Sequence, residues 1–155
     1  MISKAVDADV WQIKSLTDYW VGKNAILPRS TKDIKANLSE FFVWKNENRV
    51  LGVVSLEIKD GKTSVIRTLC VSPEHQGKGI GTQLVHTVLQ HAKNKKMETI
   101  YAVTKNVGFF NKFGFSKNKT ILSDGQEKAY MSIGFSSLAD MNFSSISLAT
   151  SSGNC

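Results

Sequence analysis

Three glycines alternate in the stretch Gln76-Gly-Lys-Gly-Ile-Gly-Thr82, which follows the apolar run Leu69-Cys-Val-Ser-Pro73 and precedes a segment of helical periodicity. Glycine lets the backbone approach a ligand closely and adopt dihedrals closed to other residues. The first amides of a helix have no intrahelical acceptor, and the helix dipole adds positive potential around them. Gly77, Gly79 and Gly81 at the mouth of a helix therefore specify an anion site suited to a pyrophosphate, and Lys78 adds a full charge. The spacing is not that of a nucleoside-triphosphate loop, which needs G-x-x-x-x-G-K-[ST]. Nor is it the dinucleotide fingerprint G-x-G-x-x-G, because Thr82 stands where the third glycine would be.

Other residues with chemical potential are scattered. Arg67 interrupts an apolar strand pattern in which Val65, Leu69 and Val71 share its face. A charge there needs a partner, either a ligand or a structural acid. Cys70 lies in the same apolar run with no histidine spaced to activate it, which favours a buried inert thiol over a nucleophile. His86 and His91 are five apart and do not share a helix face well enough for a metal, and no Cys-x-x-Cys or His/Cys cluster is present.

The elements that must position these groups follow from periodicity and turn chemistry. Ile2–Val6 reads as a short strand. Asp7 reads as the cap of a helix over about residues 8–22, with Val10, Ile13, Leu16 and Trp20 on one face. Residues 25–30 form a loop, and Ser30 or Thr31 caps a short helix carrying Ile34 and Leu38. Phe41–Trp44 is a strand. Arg49–Lys59 and Lys62–Val71 flank Asp60-Gly61, a two-residue hairpin signal. Gly79–Lys96 is the longest helix, Glu98–Thr104 a strand, and Val107–Phe113 a short helix stopped by Gly114. Phe115–Lys119 and Lys128–Phe135 form a final strand pair. The order is that of an α/β (α+β) fold, a mixed twisted sheet with helices on both faces.

The chain has 155 residues and a formal charge of +7. All 20 basic residues fall within residues 1–133, whereas residues 134–155 hold seven serines and one acid. Residues 1–133 therefore form one domain, and 134–155 read as a strand end or flexible tail, or as a segment that pairs with a second subunit in a homodimer. The basic excess favours an acidic partner. Nucleic acid would rest on charge alone, since no helix-turn-helix, zinc finger or RNP motif occurs. No apolar run reaches ~18 residues and the N-terminus lacks a signal-peptide pattern, so no membrane partner and a cytoplasmic location are expected.

The loop Gln76–Gly81 resembles the Q/R-x-x-G-x-G/A loop of the GNAT acetyltransferase superfamily. The flanking order also matches, down to the short helix ending Phe109-Phe-Asn-Lys-Phe-Gly-Phe115. The resemblance covers residues 1 to about 119 and implies an acetyl-CoA-dependent N-acetyltransferase. It implies that the loop residues Gln76, Gly77, Lys78, Gly79, Ile80, Gly81 and Thr82 hold the pyrophosphate. The backbone of Cys70 and Val71 would bond the pantetheine arm, and Asn106 and Phe110 would flank the thioester.

Within the superfamily, Ile26-Leu-Pro-Arg-Ser30, Ile66-Arg-Thr-Leu-Cys-Val71 and the Phe109-Phe110 pair resemble short-form amino-acid N-acetyltransferases similar to N-acetylglutamate synthase. These act on the α-amine of glutamate at the start of arginine biosynthesis. The resemblance assigns Arg29, Ser30 and Arg67 to the substrate, and a guanidinium fork suits a carboxylate. One departure stands out: where the subgroup has a glutamate two residues before the strand arginine, this chain has Val65. Glu57 is the nearest strand carboxylate and the remaining candidate base. A two-residue hairpin loop would set it opposite Ser64 and away from Arg67, and a bulged turn would reverse this. Phe110 stands where many members place a proton-donating tyrosine. The expected chemistry is thus direct attack by the amine in a ternary complex, with a backbone amide at Val71 as oxyanion donor. The alternatives are another amine (a polyamine, an antibiotic, a protein lysine or N-terminus) or an acyl-CoA-binding module without catalysis.

Overall fold

A computed structural model describes residues 1–123 and 125–134. Seven strands form one sheet: β1 (Ile2–Lys4), β2 (Phe41–Asn46), β3 (Arg49–Ile58), β4 (Thr63–Val71), β5 (Thr99–Thr104), β6 (Ser116–Ser123) and β7 (Gln126–Gly134), in the spatial order β1-β2-β3-β4-β5-β7-β6. The helices are α1 (Val10–Gly22), α2 (Thr31–Ala36), α3 (Ile80–Asn94) and α4 (Val107–Asn111). Four of the five neighbouring-strand junctions besides β1–β2 are antiparallel. The exception is β4–β5, which is parallel because α3 crosses over between them.

The sheet separates two apolar clusters. On one face Leu56, Ile66, Leu69 and Val71 pack against Ile80, Leu84 and Val88 of α3 and against the phenylalanines around α4. On the other, Val43, Val53 and Cys70 pack against Val10 and Ile13 of α1 and Ile34 of α2. Each fully buried side chain of this size contributes about 1.5–3 kcal/mol. Indole N–H groups tie helices to strands across these layers: Trp44 Nε1 donates to Gln83 Oε1 on α3 (2.9 Å), and Trp20 Nε1 donates to the Val71 carbonyl (3.0 Å). Trp11 remains 70% exposed.

The element order matches the sequence reading, with two local corrections. Asp7 does not cap α1. Residues Asp7–Asp9 form a 3-10 turn, and it is Asp9, buried and paired with Lys45 Nζ at 2.9 Å, that accepts the Val6 amide. The β3–β4 hairpin is not a two-residue loop either. The Asp60 carboxylate accepts the amides of Lys62 and Thr63 (2.7 and 2.8 Å), which widens the turn so that Ile58 pairs with Ser64 and Glu57 with Val65. Gly134, within the strand expected over Lys128–Phe135, ends β7 opposite Thr99. Residues 135–155, the rest of the expected strand end and tail, lie outside the described residues.

Candidate active site

The glycine loop is built as an anion cradle. After Pro73–His75, a single 3-10 turn, Gly77 and Gly79 adopt φ of 75° and 80°, a left-handed conformation that costs other residues about 1–2 kcal/mol. Gly79 is the N-cap of α3 and offers no side chain, so no cap hydrogen bond satisfies the first helical amides. The first bond along the helix runs from the Gln83 amide to the Gly79 carbonyl (3.0 Å), which leaves the amides of Ile80, Gly81 and Thr82 without helical acceptors. Gly81 plays a different part from the other two glycines: it is buried in the first turn of α3. Lys78 is exposed beside the loop, and His75 Nδ1 lies 3.3 Å from Ser72 Oγ. Gln76 donates through Nε2 to the Val71 carbonyl (2.8 Å), while its buried Oε1 has no partner. Unfilled amide donors at a helix start and a cation together fit a phosphate-bearing ligand.

Next to this loop the sheet opens. The β4–β5 ladder runs from Thr63–Thr99 to Ile66–Ala102 and stops, so beyond Ile66 the two strands diverge. A crevice of about 20 Å³ remains between them, lined by Ile66, Arg67, Leu69, Ala102, Thr104 and Phe110 among others. The direction of the peptide groups follows from register. Ser72 donates to the Leu51 carbonyl (2.7 Å), and hydrogen-bonded pairs alternate along an antiparallel ladder. Cys70, opposite Val53, therefore turns its peptide groups to β3, and Leu69 and Val71 turn theirs to the opening. The Cys70 peptide groups, expected to bond the pantetheine arm, are thus turned to β3, while those of Leu69 and Val71 face the opening. The Val71 carbonyl is already held by Trp20 and Gln76, which leaves its amide as the group free to face a ligand from that residue. The Cys70 side chain is fully buried on the α1 face, remote in orientation from the opening. Phe110 closes the crevice with its ring packed edge-on against Phe109 and Phe115, and Asn106 caps α4 by accepting the Phe109 amide (3.0 Å).

A charged cluster lies on the α1–α2 side. The β3–β4 register pairs Ser55 with Thr68 but Leu56 with Ile66, so Arg67 is the extra residue of a bulge. This corrects the expected face: Leu69 and Val71 point into the core under α3, while Arg67 emerges beside Glu57. Arg67 Nη1 donates to Glu57 Oε2 at 2.5 Å, and Lys59 Nζ holds the other carboxylate oxygen at 3.0 Å. Burial alone would raise the Glu57 carboxyl. The hydrogen bonds from Arg67 and Lys59 outweigh it, and the net direction is down. A carboxylate so engaged is a weak proton acceptor, and Glu57, the candidate base, is tied to Arg67 and Lys59.

Arg29 and Ser30 are placed differently from Arg67. The Arg29 side chain is 9% exposed, lies over the Phe41 ring at 4.9 Å, and donates to Asp33 (2.6 Å) and Ser55 Oγ (3.4 Å). It is a pin between α2 and the sheet. Ser30 Oγ accepts the Asp33 amide as the cap of α2. Two further acids join the cluster. Asp33 is held below the usual carboxylate range, chiefly by its hydrogen bond from Arg29. Glu40, 3.9 Å from Arg29, is pushed up by burial and by the neighbouring charge of Glu57. The Arg29–Asp33 spacing of four was a visible helix-type pair. Glu40 carried no sequence signal, because its place depends on how the turn before β2 docks.

A cavity of about 280 Å³ lies over this cluster, walled by the loop Ala25–Arg29, by Val65 and Arg67 of β4, and by Ile121 and Lys128 of the β6–β7 hairpin. Arg67 lines both this cavity and the crevice between β4 and β5. Among the described residues no group of three His, Cys, Asp or Glu could hold a metal ion, and no helix is long and apolar enough to cross a membrane.

Residues 8–115 match the model of the acetyltransferase (GNAT) family. The chain belongs to that family. Its relatives include an uncharacterised N-acetyltransferase of Chlorobaculum tepidum, 29% identical over 110 residues that cover 71% of each chain. An amino-acid acetyltransferase of Mycobacterium tuberculosis is 28% identical over 120 residues, covering 76% of this chain and 68% of the relative. Among solved structures, the N-acetylglutamate synthase of Neisseria gonorrhoeae, complexed with coenzyme A and N-acetyl-glutamate, shares the fold. It superposes with a TM-score of 0.77 at 21% identity, over 87% of this chain and 35% of its own. This GNAT protein is accordingly an N-acetyltransferase on a seven-stranded mixed sheet.

Proposed function

We propose that this GNAT protein uses acetyl-CoA to acetylate the α-amine of a small amino acid, with glutamate preferred. The observation that carries this reading is the position of Arg67, which lines both the β4–β5 crevice and the neighbouring cavity. A carboxylate held there sets its own α-amine beside the crevice, and proximity of this kind is a large part of what such a site contributes. Lys128 on the far wall adds a second cation for a side-chain carboxylate. Arg29, saturated by Asp33 and Ser55, maintains the wall instead of binding substrate.

Acetyl-CoA, when bound, supplies an activated acetyl thioester. The residues that would hold it are the amides of residues 76–82 with the Lys78 cation, the peptide groups of Leu69 and Val71, and Phe110 and Asn106 at the crevice. The Val71 amide, aimed into the opening, is the donor for an oxyanion. No carboxylate of the cluster is placed as a dedicated base: Glu57 is tied to Arg67, and Glu40 lies beside Arg29. The acceptor proton therefore leaves to solvent.

The test is thiol release from acetyl-CoA with a panel of amino acids, polyamines and peptides. Release with glutamate that is lost in Arg67→Ala supports the proposal. Release with polyamines or peptides alone reassigns the acceptor. Thermal protection by CoA without turnover on any amine identifies a binding module.

A further inference from the structure

On the opposite face of the sheet from Arg67 lies a second cavity, of about 240 Å³. Its floor is apolar, made by Phe42 of β2 and Leu56 and Ile58 of β3. Its rim carries Lys4 of β1, His91 and Lys95 at the C-terminal end of α3, and Glu40. Two of the rim groups are fixed on the aromatic floor. Lys4 Nζ donates to the Ser39 carbonyl (2.8 Å) and sits 4.9 Å from the centre of the Phe42 ring, and His91 meets the same ring edge-on at 5.2 Å. Among the described residues, neither lysine nor His91 has a carboxylate within ion-pairing reach, and the Glu40 carboxylate makes its contact with Arg29.

We propose that this cavity binds a small organic carboxylate with an apolar body, at a site separate from the acetyl-transfer centre. The carboxylate would take charge-assisted hydrogen bonds from Lys4 and Lys95, and the apolar part would cover Phe42, Leu56 and Ile58. The volume lies below the roughly 300–1,000 Å³ of drug-sized sites, which limits the ligand to metabolite dimensions. The electrostatics agree with the geometry. Burial and the proximity of Lys95 lower the Lys4 ammonium, and burial together with Lys4 and Lys95 lowers the His91 imidazole. A bound anion relieves both repulsions. This inference stands whichever amine the enzyme acetylates.

The probe is phenylacetate, with uncharged phenylacetamide as its control and the His91 ring protons, assigned through His91→Gln, as the NMR readout. Expected are a saturable shift with phenylacetate, a higher His91 titration midpoint in its presence, and weak or no response to the amide. The Lys4→Ser/Lys95→Ser variant, altered at two exposed positions, is expected to bind at least about tenfold more weakly. No saturable shift at millimolar phenylacetate overturns the proposal. So does equal binding of phenylacetamide, a comparison made on the unaltered protein and therefore independent of how the variant folds. Unchanged affinity in the double variant overturns it as well.

Discussion

At the scale of single residues, the two arginines that look alike in sequence have separate work. Arg67 is 42% exposed and held by one acid, whereas Arg29 is nearly buried with a hydroxyl, an acid and an aromatic ring around it. Arg67→Ala is expected to raise KM for a carboxylate acceptor about tenfold or more while leaving CoA affinity unchanged, read by steady-state kinetics beside calorimetric titration of CoA. Arg29→Ala is expected to cost about 1–3 kcal/mol of stability, read from urea unfolding, because it leaves Ser55 and the Phe41 face without their partner. The acids differ in sign. Glu57 has a depressed carboxyl, so its stabilisation is present above its unfolded pKa and fades as pH falls through the folded one. Glu57→Gln is therefore expected to unfold at lower urea than wild type at neutral pH and to converge with it in acid. Glu40 is raised, so its contribution is complete below its unfolded pKa and is lost as pH climbs through the folded value. Urea midpoints for Glu40→Gln are expected to lie above wild type at neutral pH and to lose that advantage on acidification.

At the scale of elements, the strands and helices were legible because their apolar spacing is regular. The glycine loop was legible because alternating glycines before a helix have few other uses. Pairing details were not legible. The Asp60 side chain enlarges its turn by capturing two amides, and the β4 bulge exists only once β3 is alongside, so Glu57 and Arg67 looked like residues on different faces. The peptide direction at Cys70 was hidden for the same reason. Gly52 shows what such close registry demands. A Cβ there would stand 2.8 Å from Ile80 Cγ2 and 3.0 Å from Leu84 Cδ1, so β3 and α3 touch where the helix begins. Gly52→Ala is expected to cost about 1–3 kcal/mol and to weaken CoA binding, since relief of the clash moves the turn whose amides form the cradle. Thermal melts with and without CoA measure both effects.

At the scale of the whole molecule, the charge of +7 is divided among separate places on the fold. Lys78 stands in the loop before α3, Arg29, Arg67 and Lys128 line the cavity beside β4, and Lys4 and Lys95 line the cavity at the far end of α3. A ligand that binds the folded state alone stabilises it by mass action, so CoA at about a hundredfold over its Kd is expected to add about 2.7 kcal/mol. Differential scanning calorimetry reads this directly, and added salt is expected to reduce the gain. That single-ligand effect is worth several of the side-chain contacts described above.

The four-pair parallel join between β4 and β5 has a mechanical meaning. The antiparallel group β1–β4 and the group β5–β7–β6 meet along Thr63–Ile66 and Thr99–Ala102, with the remaining length of β4 standing apart from its neighbour. Tension applied between β3 and β7 falls hardest on this short join, because the ladders on either side of it, β3–β4 and β5–β7, are longer. A ligand that bonds the peptide groups of Leu69 and Val71 acts as a splice over the part left open, so the loaded protein tears at a higher force than the empty one.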